Sequence, residues 1–152
     1  MLMKDNVNKV IFAAGSGTTR APMAMAIFLA TPRKRQIDCE ARGLVVNFPE
    51  PINPKVEAVL KTNGITIQDY STKKLVAADF ADNSVVITMD ETQKRSIIEE
   101  FADANEENTY ILNELVGDEL EVIDPYGGTV QTYGLCFEVM KASIEKLMQI
   151  LE

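Results

Sequence analysis

The sequence predicts one α/β domain over residues 1–152, a central parallel sheet flanked by helices on both faces. Three features of this 152-residue chain point there. Short β-branched apolar runs alternate with helical patterns along the whole length, the order that strand–helix–strand units produce. The last stretch places apolar residues in steps of three and four, which marks a helix with one face in a core. Hydrophobic residues make up 46% and charged residues 25%, ordinary globular values that argue against disorder. A chain of this size buries roughly 70% of the surface its unfolded form exposes, so it needs neither disulfide nor metal in order to fold.

The elements follow in order. Lys9, Val10, Ile11, Phe12, Ala13 and Ala14 read as a buried strand. Residues 15–19 form a loop of small residues, and Pro22 sits in the first turn of a helix continued by the Ala- and Met-rich residues 23–29. Gln36, Ile37, Asp38 and Cys39 read as a short strand. Residues 43–48 run into Pro49, Pro51 and Pro54, which forbid regular ladder pairing. Asn53 caps a helix with Pro54 at its first position; Val56, Val59 and Leu60 face inward, the helix runs to about Lys61, and Asn63 and Gly64 end it. Residues 84–89 (Ser84, Val85, Val86, Ile87, Thr88, Met89) are the clearest strand. Asp90 caps the next helix, to about Phe101, and Tyr110, Ile111 and Leu112 form another strand. Asp124, Pro125, Tyr126, Gly127 and Gly128 make a loop ahead of a helix over residues 130–151, whose core face carries Tyr133, Phe137, Met140, Ile144, Leu147 and Leu151.

Composition removes several function classes. With 15 Lys+Arg against 23 Asp+Glu the net charge is −8, so neither nucleic acid nor an anionic membrane is an expected partner. The absence of histidine excludes histidine acid–base catalysis, histidine metal ligation and Ser-His-Asp triads. The two cysteines, Cys39 and Cys136, form no C-x-x-C and read as buried free thiols. No cofactor or metal is expected. Residues 1–9 are polar and resemble no signal peptide, and no apolar run reaches about 18 residues, so a cytoplasmic protein is expected. Residues 33–35 and the pair Lys73 and Lys74 read as surface charge. The carboxylates of Asp79, Asp82, Asp90, Glu91, Glu99, Glu100, Asp103, Glu106 and Glu107 read mostly as a solvated face, and the methionines as core filler. Oligomeric state is not legible.

One stretch carries chemistry. Ala14, Gly15, Ser16, Gly17, Thr18, Thr19 and Arg20 lie between a buried strand and a helix start. Small residues let the backbone curl so that successive N–H groups converge, and the helix N-terminus adds partial positive charge, which together make an anion nest. Arg20 adds a planar two-pronged donor for phosphate oxygens. The alternative is a tight turn with a surface arginine. A nucleotide-binding P-loop needs Lys-Ser/Thr where Arg20 stands, and a dinucleotide fingerprint needs a third glycine at the same place, so ATP and NAD do not fit.

Val10, Ile11 and Phe12, the loop 14–20, and then Ala21, Pro22, Met23 and Ala24 resemble the opening of a low-molecular-weight protein-tyrosine phosphatase, a hydrophobic strand followed by C-x-x-x-x-x-R and Ser-Pro-Met-Ala. Asp124, Pro125, Tyr126, Gly127 and Gly128 are similar to that family's D-P-[FY]-G-G segment, and Ile87, Thr88, Met89 and Asp90 to its strand ending in Thr-Met. The resemblance covers nearly the whole chain. It implies a fold of that type, no cofactor, and a phosphate or phosphotyrosine-bearing protein as partner. In the family a cysteine thiolate attacks phosphorus, loop N–H groups and the arginine hold the phosphoryl oxygens, and the aspartate protonates the leaving phenolate. By position Arg20 matches the clamp, Asp124 the general acid, and Tyr126 one wall of the slot for the ring; residues 44–48 would supply another wall.

Where this chain departs from that pattern the chemistry changes. The nucleophile position is Ala14, the loop asparagine is Gly17, the second cysteine is Thr19, and the serine that hydrogen-bonds the thiolate is Ala21. Losing a nucleophile costs on the order of a million-fold in turnover in a serine protease, and Ser16, Thr18 and Thr19 have no base to activate them. The expected protein is a pseudophosphatase that binds phosphate or phosphotyrosine through Gly15, Ser16, Gly17, Thr18, Thr19 and Arg20. Two alternatives stand beside it: an active phosphatase whose cysteine at position 14 was replaced by design, and a structural or assembly protein with a vestigial loop. Arsenate reduction, the redox chemistry of the same fold, needs a loop cysteine that is absent.

Overall fold

The strand ladder decides where a site can form. The computed structural model describes residues 6–152, so the reading of residues 1–9 lies partly outside the described residues. Strands β1 (Lys9–Ala13), β2 (Asp38–Arg42), β3 (Ser84–Thr88) and β4 (Thr109–Ile111) pair in parallel in the order β2-β1-β3-β4. The chain steps outward from β1 to β2, then crosses back to lay β3 on the other side of β1. The loops leaving the carboxyl ends of β1 and β3 therefore diverge and open a crevice between them, the usual ligand position in open parallel sheets.

Alternation along β1 sorts its side chains between two layers. Val10 and Phe12 face a large core built with α1 (Arg20–Ala30), α2 (Pro54–Thr62) and α5 (Val130–Leu151). Ile11 and Ala13 face a smaller one with Leu75, Ile97 and Ala104, covered by α3 (Glu91–Glu100). The sheet is thus sandwiched by helices, as the sequence predicts. Phe12 and Phe28 meet edge to face at 6.1 Å between ring centroids, fastening α1 to β1.

The capping chemistry also follows the sequence. The Asn53 side chain accepts from the Lys55 N–H at 2.8 Å, and the Asp90 carboxylate from the Gln93 N–H at 2.8 Å. The helix expected over residues 130–151 has those bounds, with Thr129 as its cap.

Four readings need correction. The second strand begins at Asp38 and runs to Arg42, instead of spanning 36–39, because Asp38 pairs with Lys9 at the start of β1 and earlier residues have no strand beside them. Leu112 leaves the fourth strand to open α4 (Leu112–Val116), which stops at Gly117 in the left-handed region at φ 82°. A 3-10 turn at Ala77–Phe80 went unread. Asp79, assigned to a solvated face, is buried: it accepts from Arg42 Nε at 3.1 Å and Nη2 at 3.3 Å, and from the Val76 N–H at 3.0 Å.

That last pair holds β2 to the 3-10 turn. Truncating Asp79→Ala removes the two-point partner of a mostly buried guanidinium, which keeps Glu40 at 3.4 Å and the Ala41 carbonyl at 3.0 Å, and we expect a loss of about 1–3 kcal/mol in urea unfolding. Replacing both partners by apolar residues of similar volume should recover part of it; a double variant no better than Asp79→Ala would show that the pairing is not the source of the cost.

Candidate functional site

The loop 14–19 lies at the crevice, between β1 and α1, and each of its turns is tied to a neighbour. The Ala14 N–H donates to the Arg42 carbonyl at 3.1 Å, and the Gly17 N–H to the Ala14 carbonyl at 3.0 Å. The Gly15 carbonyl accepts from Leu44 and Val45, and the Thr18 carbonyl from Asn53. The Tyr70 hydroxyl donates to the Gly17 carbonyl at 2.6 Å, and burial pushes that phenol up to about 12. The N–H groups of Ser16, Thr18 and Thr19 meet no protein acceptor among the described residues. Thr19 caps α1 without a side-chain bond, and no acidic residue stands in the first turn. A helix start left this way presents unsatisfied backbone donors.

Two glycines permit the curl. Gly15 has φ 49° and Gly17 φ 80°. At Gly17 the restriction is also one of space, since a Cβ would lie 3.0 Å from the Gly43 nitrogen and 3.1 Å from its Cα.

Arg20 is 8% exposed. Its Nη1 donates to the Val122 carbonyl at 2.8 Å, and the guanidinium faces Asp90 at 3.8 Å and Asp124 at 3.9 Å. Asp90 also accepts from the Gln93 side-chain amide at 2.7 Å, and the Gln93 carbonyl oxygen accepts from the Gly15 N–H at 2.9 Å. One amide thus bridges the start of the loop and the acid facing Arg20.

The cleft has a volume of about 410 Å³ and is lined by Ala14, Gly15, Ser16, Thr18, Thr19, Arg20, Glu50, Asp124 and Tyr126. The structure therefore brings together every residue singled out from the sequence except Gly17, which shapes the loop from behind. Residues 44–48 do not line this cleft; Leu44, Val45, Asn47 and Phe48 border an adjoining groove that shares Gly15 and Ser16. Sequence reasoning missed Glu50, Gln93, Val122 and Tyr70. Asp90 reads from the sequence as a helix cap at the end of the Thr-Met strand and as part of a solvated face, whereas it faces Arg20; its place directly after a strand that reaches the crevice is a usable signal.

No group in the cleft is a ready nucleophile. Ser16 Oγ and Thr18 Oγ1 bond each other at 2.8 Å. Both cysteines are buried free thiols, Cys39 pushed well above the ordinary range by burial and Cys136 up to about 11, mainly by burial, with Asp124 adding to the rise and Arg20 opposing it. Among the described residues no group of three or more His, Cys, Asp or Glu is arranged to hold a metal ion, and no helix is long and apolar enough to cross a membrane.

A helix-covered parallel sheet with a glycine-bearing strand-to-helix loop and an arginine at its switch point defines a phosphatase-like α/β class. The chain belongs to the low molecular weight phosphotyrosine protein phosphatase family, whose sequence profile matches residues 9–152. It is 28% identical over 146 residues to the low molecular weight protein-tyrosine-phosphatase PtpB of Staphylococcus aureus, spanning 94% of this chain and 99% of that one. It is 25% identical over 146 residues to the protein-arginine-phosphatase of Geobacillus stearothermophilus, covering 95% and 96% of the two chains. Among solved structures, the low molecular weight protein tyrosine phosphatase from T. tengcongensis aligns with a TM-score of 0.83 at 29% identity, over 93% of this chain and 97% of that one.

Two outcomes follow from the loop geometry. Gly17→Ala places a methyl group against Gly43 at a left-handed backbone position, and should lower stability by about 1–3 kcal/mol, a fall of roughly 3–10 °C in Tm. An unchanged Tm would show that the loop relaxes freely. Cys136 should react with an aromatic disulfide reagent only slowly at neutral pH and speed up as pH rises toward about 11. Its thiolate is the charged form that burial disfavours, so fast reaction at pH 7 would contradict the packing described.

Proposed function

We propose that this chain binds a phosphoryl group, free or carried by a phosphotyrosine-bearing protein, in the loop 14–20 and does not hydrolyse it. The observation that carries the reading is Ala14 at the head of a donor-rich loop, at the place where the family's pattern has its cysteine. A methyl group cannot attack phosphorus, so no covalent phosphoenzyme forms. The N–H groups of Ser16, Thr18 and Thr19 and the start of α1 supply donors for phosphoryl oxygens. Arg20, already anchored through Nη1, presents the rest of its guanidinium. Asp124 occupies the general-acid position but has no leaving group to protonate. Tyr126, 76% exposed, forms an aromatic wall of the cleft.

A second reading concerns the phosphorylated side chain. Glu50 and Asp124 line the same cleft, and their carboxylates suit a group that carries N–H donors beside the phosphoryl. Phosphoarginine has such donors and phosphotyrosine does not, and one relative is named a protein-arginine-phosphatase.

Titration calorimetry with phosphate or tungstate tests the proposal. We expect measurable binding that falls roughly 10- to 100-fold in Arg20→Ala, the loss of one charge-assisted contact. Phosphotyrosine and phosphoarginine peptides, compared in the same experiment, separate the two readings. No p-nitrophenol burst should appear with an aryl phosphate. Ala14→Cys should restore only weak hydrolysis, because Ala21 offers no hydroxyl to stabilise the thiolate. Absence of any anion affinity would leave the loop a structural element, and Asp124-dependent turnover by the unaltered chain would overturn the reading.

A further inference from the structure

We infer that the groove between the 120–125 segment and α5 is a docking site for a basic, apolar segment of a partner protein. This goes beyond the phosphate reading and does not require it. The groove has a volume of about 280 Å³, and its walls are mainly apolar, with Leu120, Val122, Ile123 and Pro125 on one side and Leu135 and Val139 on the other. Leu120 is 81% exposed, Ile123 80% and Leu135 68%. Large apolar side chains this exposed and this close together mark an interaction surface, whereas isolated ones do not.

The charge around the groove selects the occupant. Residues 118–139 contain Asp118, Glu119, Glu121, Asp124 and Glu138 and no lysine or arginine. Asp118 is answered by Lys146 and Ser143, and Asp124 faces Arg20. Glu119 and Glu138 are exposed and have no cationic partner among the described residues. Glu121 borders the groove and, among the described residues, accepts only the Glu91 N–H at 2.8 Å. On α5, Leu135, Glu138 and Val139 stand at spacings of three and four, so carboxylate and apolar contacts lie on one helical face. A second copy of the chain would bring the same carboxylates against these, on a molecule whose net charge is already −8. Like charges facing one another across an interface select against that pairing. An incoming segment with leucine-like side chains flanked by lysine or arginine satisfies both the apolar walls and the rim.

The groove is joined to the phosphate cleft by the chain itself. Val122 lines the groove while its carbonyl holds Arg20, and Asp124 faces that guanidinium two residues on. A phosphoprotein with a basic apolar stretch near its modified residue would touch both.

The test is selection of a random peptide library displayed on phage against the immobilised full chain, with Leu135→Asn and Ile123→Asn as the comparison. We expect enriched peptides to combine Leu, Ile, Phe or Trp with Lys or Arg. Synthetic copies should bind at least about tenfold more weakly to either variant, and more weakly as salt is raised. Both variants alter exposed positions outside the phosphate cleft, so phosphate calorimetry on them should match the unaltered chain. Absence of phosphate binding by the unaltered chain would count against the phosphate reading and leave this one standing. No enrichment, enrichment of acidic or uncharged apolar peptides, or a dimer in sedimentation that Leu135→Asn dissociates would each overturn the docking proposal.

Discussion

A guanidinium withdrawn from water must be answered by acceptors, and Arg20 is answered by parts of the chain that are far apart in sequence. It leaves the first turn of α1, bonds the Val122 carbonyl, and faces Asp90 after β3 and Asp124 ahead of α5. Charge in a low-dielectric setting is costly alone and tolerable when compensated. These contacts therefore fix where the 118–128 segment crosses the carboxyl edge of the sheet. The width of the cleft, the position of Tyr126 at its mouth and one wall of the neighbouring apolar groove all depend on that crossing.

The loop is organised differently from what its composition suggests. A glycine at position 17 in an open turn would leave the chain loose. Here the residue lies against the Gly43 backbone, and its carbonyl is bonded by Tyr70. Gly43 is equally constrained, since a Cβ there would lie 2.7 Å from the Ser16 carbonyl. The preorganisation that the loop's side chains do not provide comes from the packing of two backbones. The Gln93 amide adds a further tie, joining Gly15 to Asp90. Preorganised donors hold an anion without the entropic cost of collecting them.

The sheet, its helical layers and the loop were legible because they rest on local signals. β-branched runs, Asn53 and Asp90 as caps, and the stepped apolar face of the last helix each report a structure a few residues wide. Family resemblance then brought Asp124 and Tyr126 to the loop, which local pattern alone does not do. What escaped depends on contacts across the fold. Asp79 looks like one more carboxylate in an acidic stretch, and only the approach of Arg42 from β2 makes it a buried partner. Gln93 looks like a surface helix residue until the β1 loop arrives beside it. The second strand was misplaced by two residues at its start and three at its end because its limits are set by where β1 runs, and no residue within 36–42 records that.

The side chain at position 14 bears on affinity as well as on turnover. In a thiolate enzyme the nest that must receive a phosphoryl dianion already contains a negative sulfur, and like charges a few ångströms apart oppose binding of the ground state. A methyl group removes that repulsion together with the reactivity. The charges lining this cleft are one guanidinium and the carboxylates of Asp124 and Glu50, and Asp90 faces the same guanidinium from beside it, so no strong positive field draws in a free anion. Affinity on the proposed reading has to come from short-range donors in the loop and from whatever carries the phosphoryl group. This favours a ligand presented on a polypeptide over inorganic phosphate. On the same reading a chain that releases no product gains nothing from keeping such contacts weak, and short, preorganised donors are what a holding role would require.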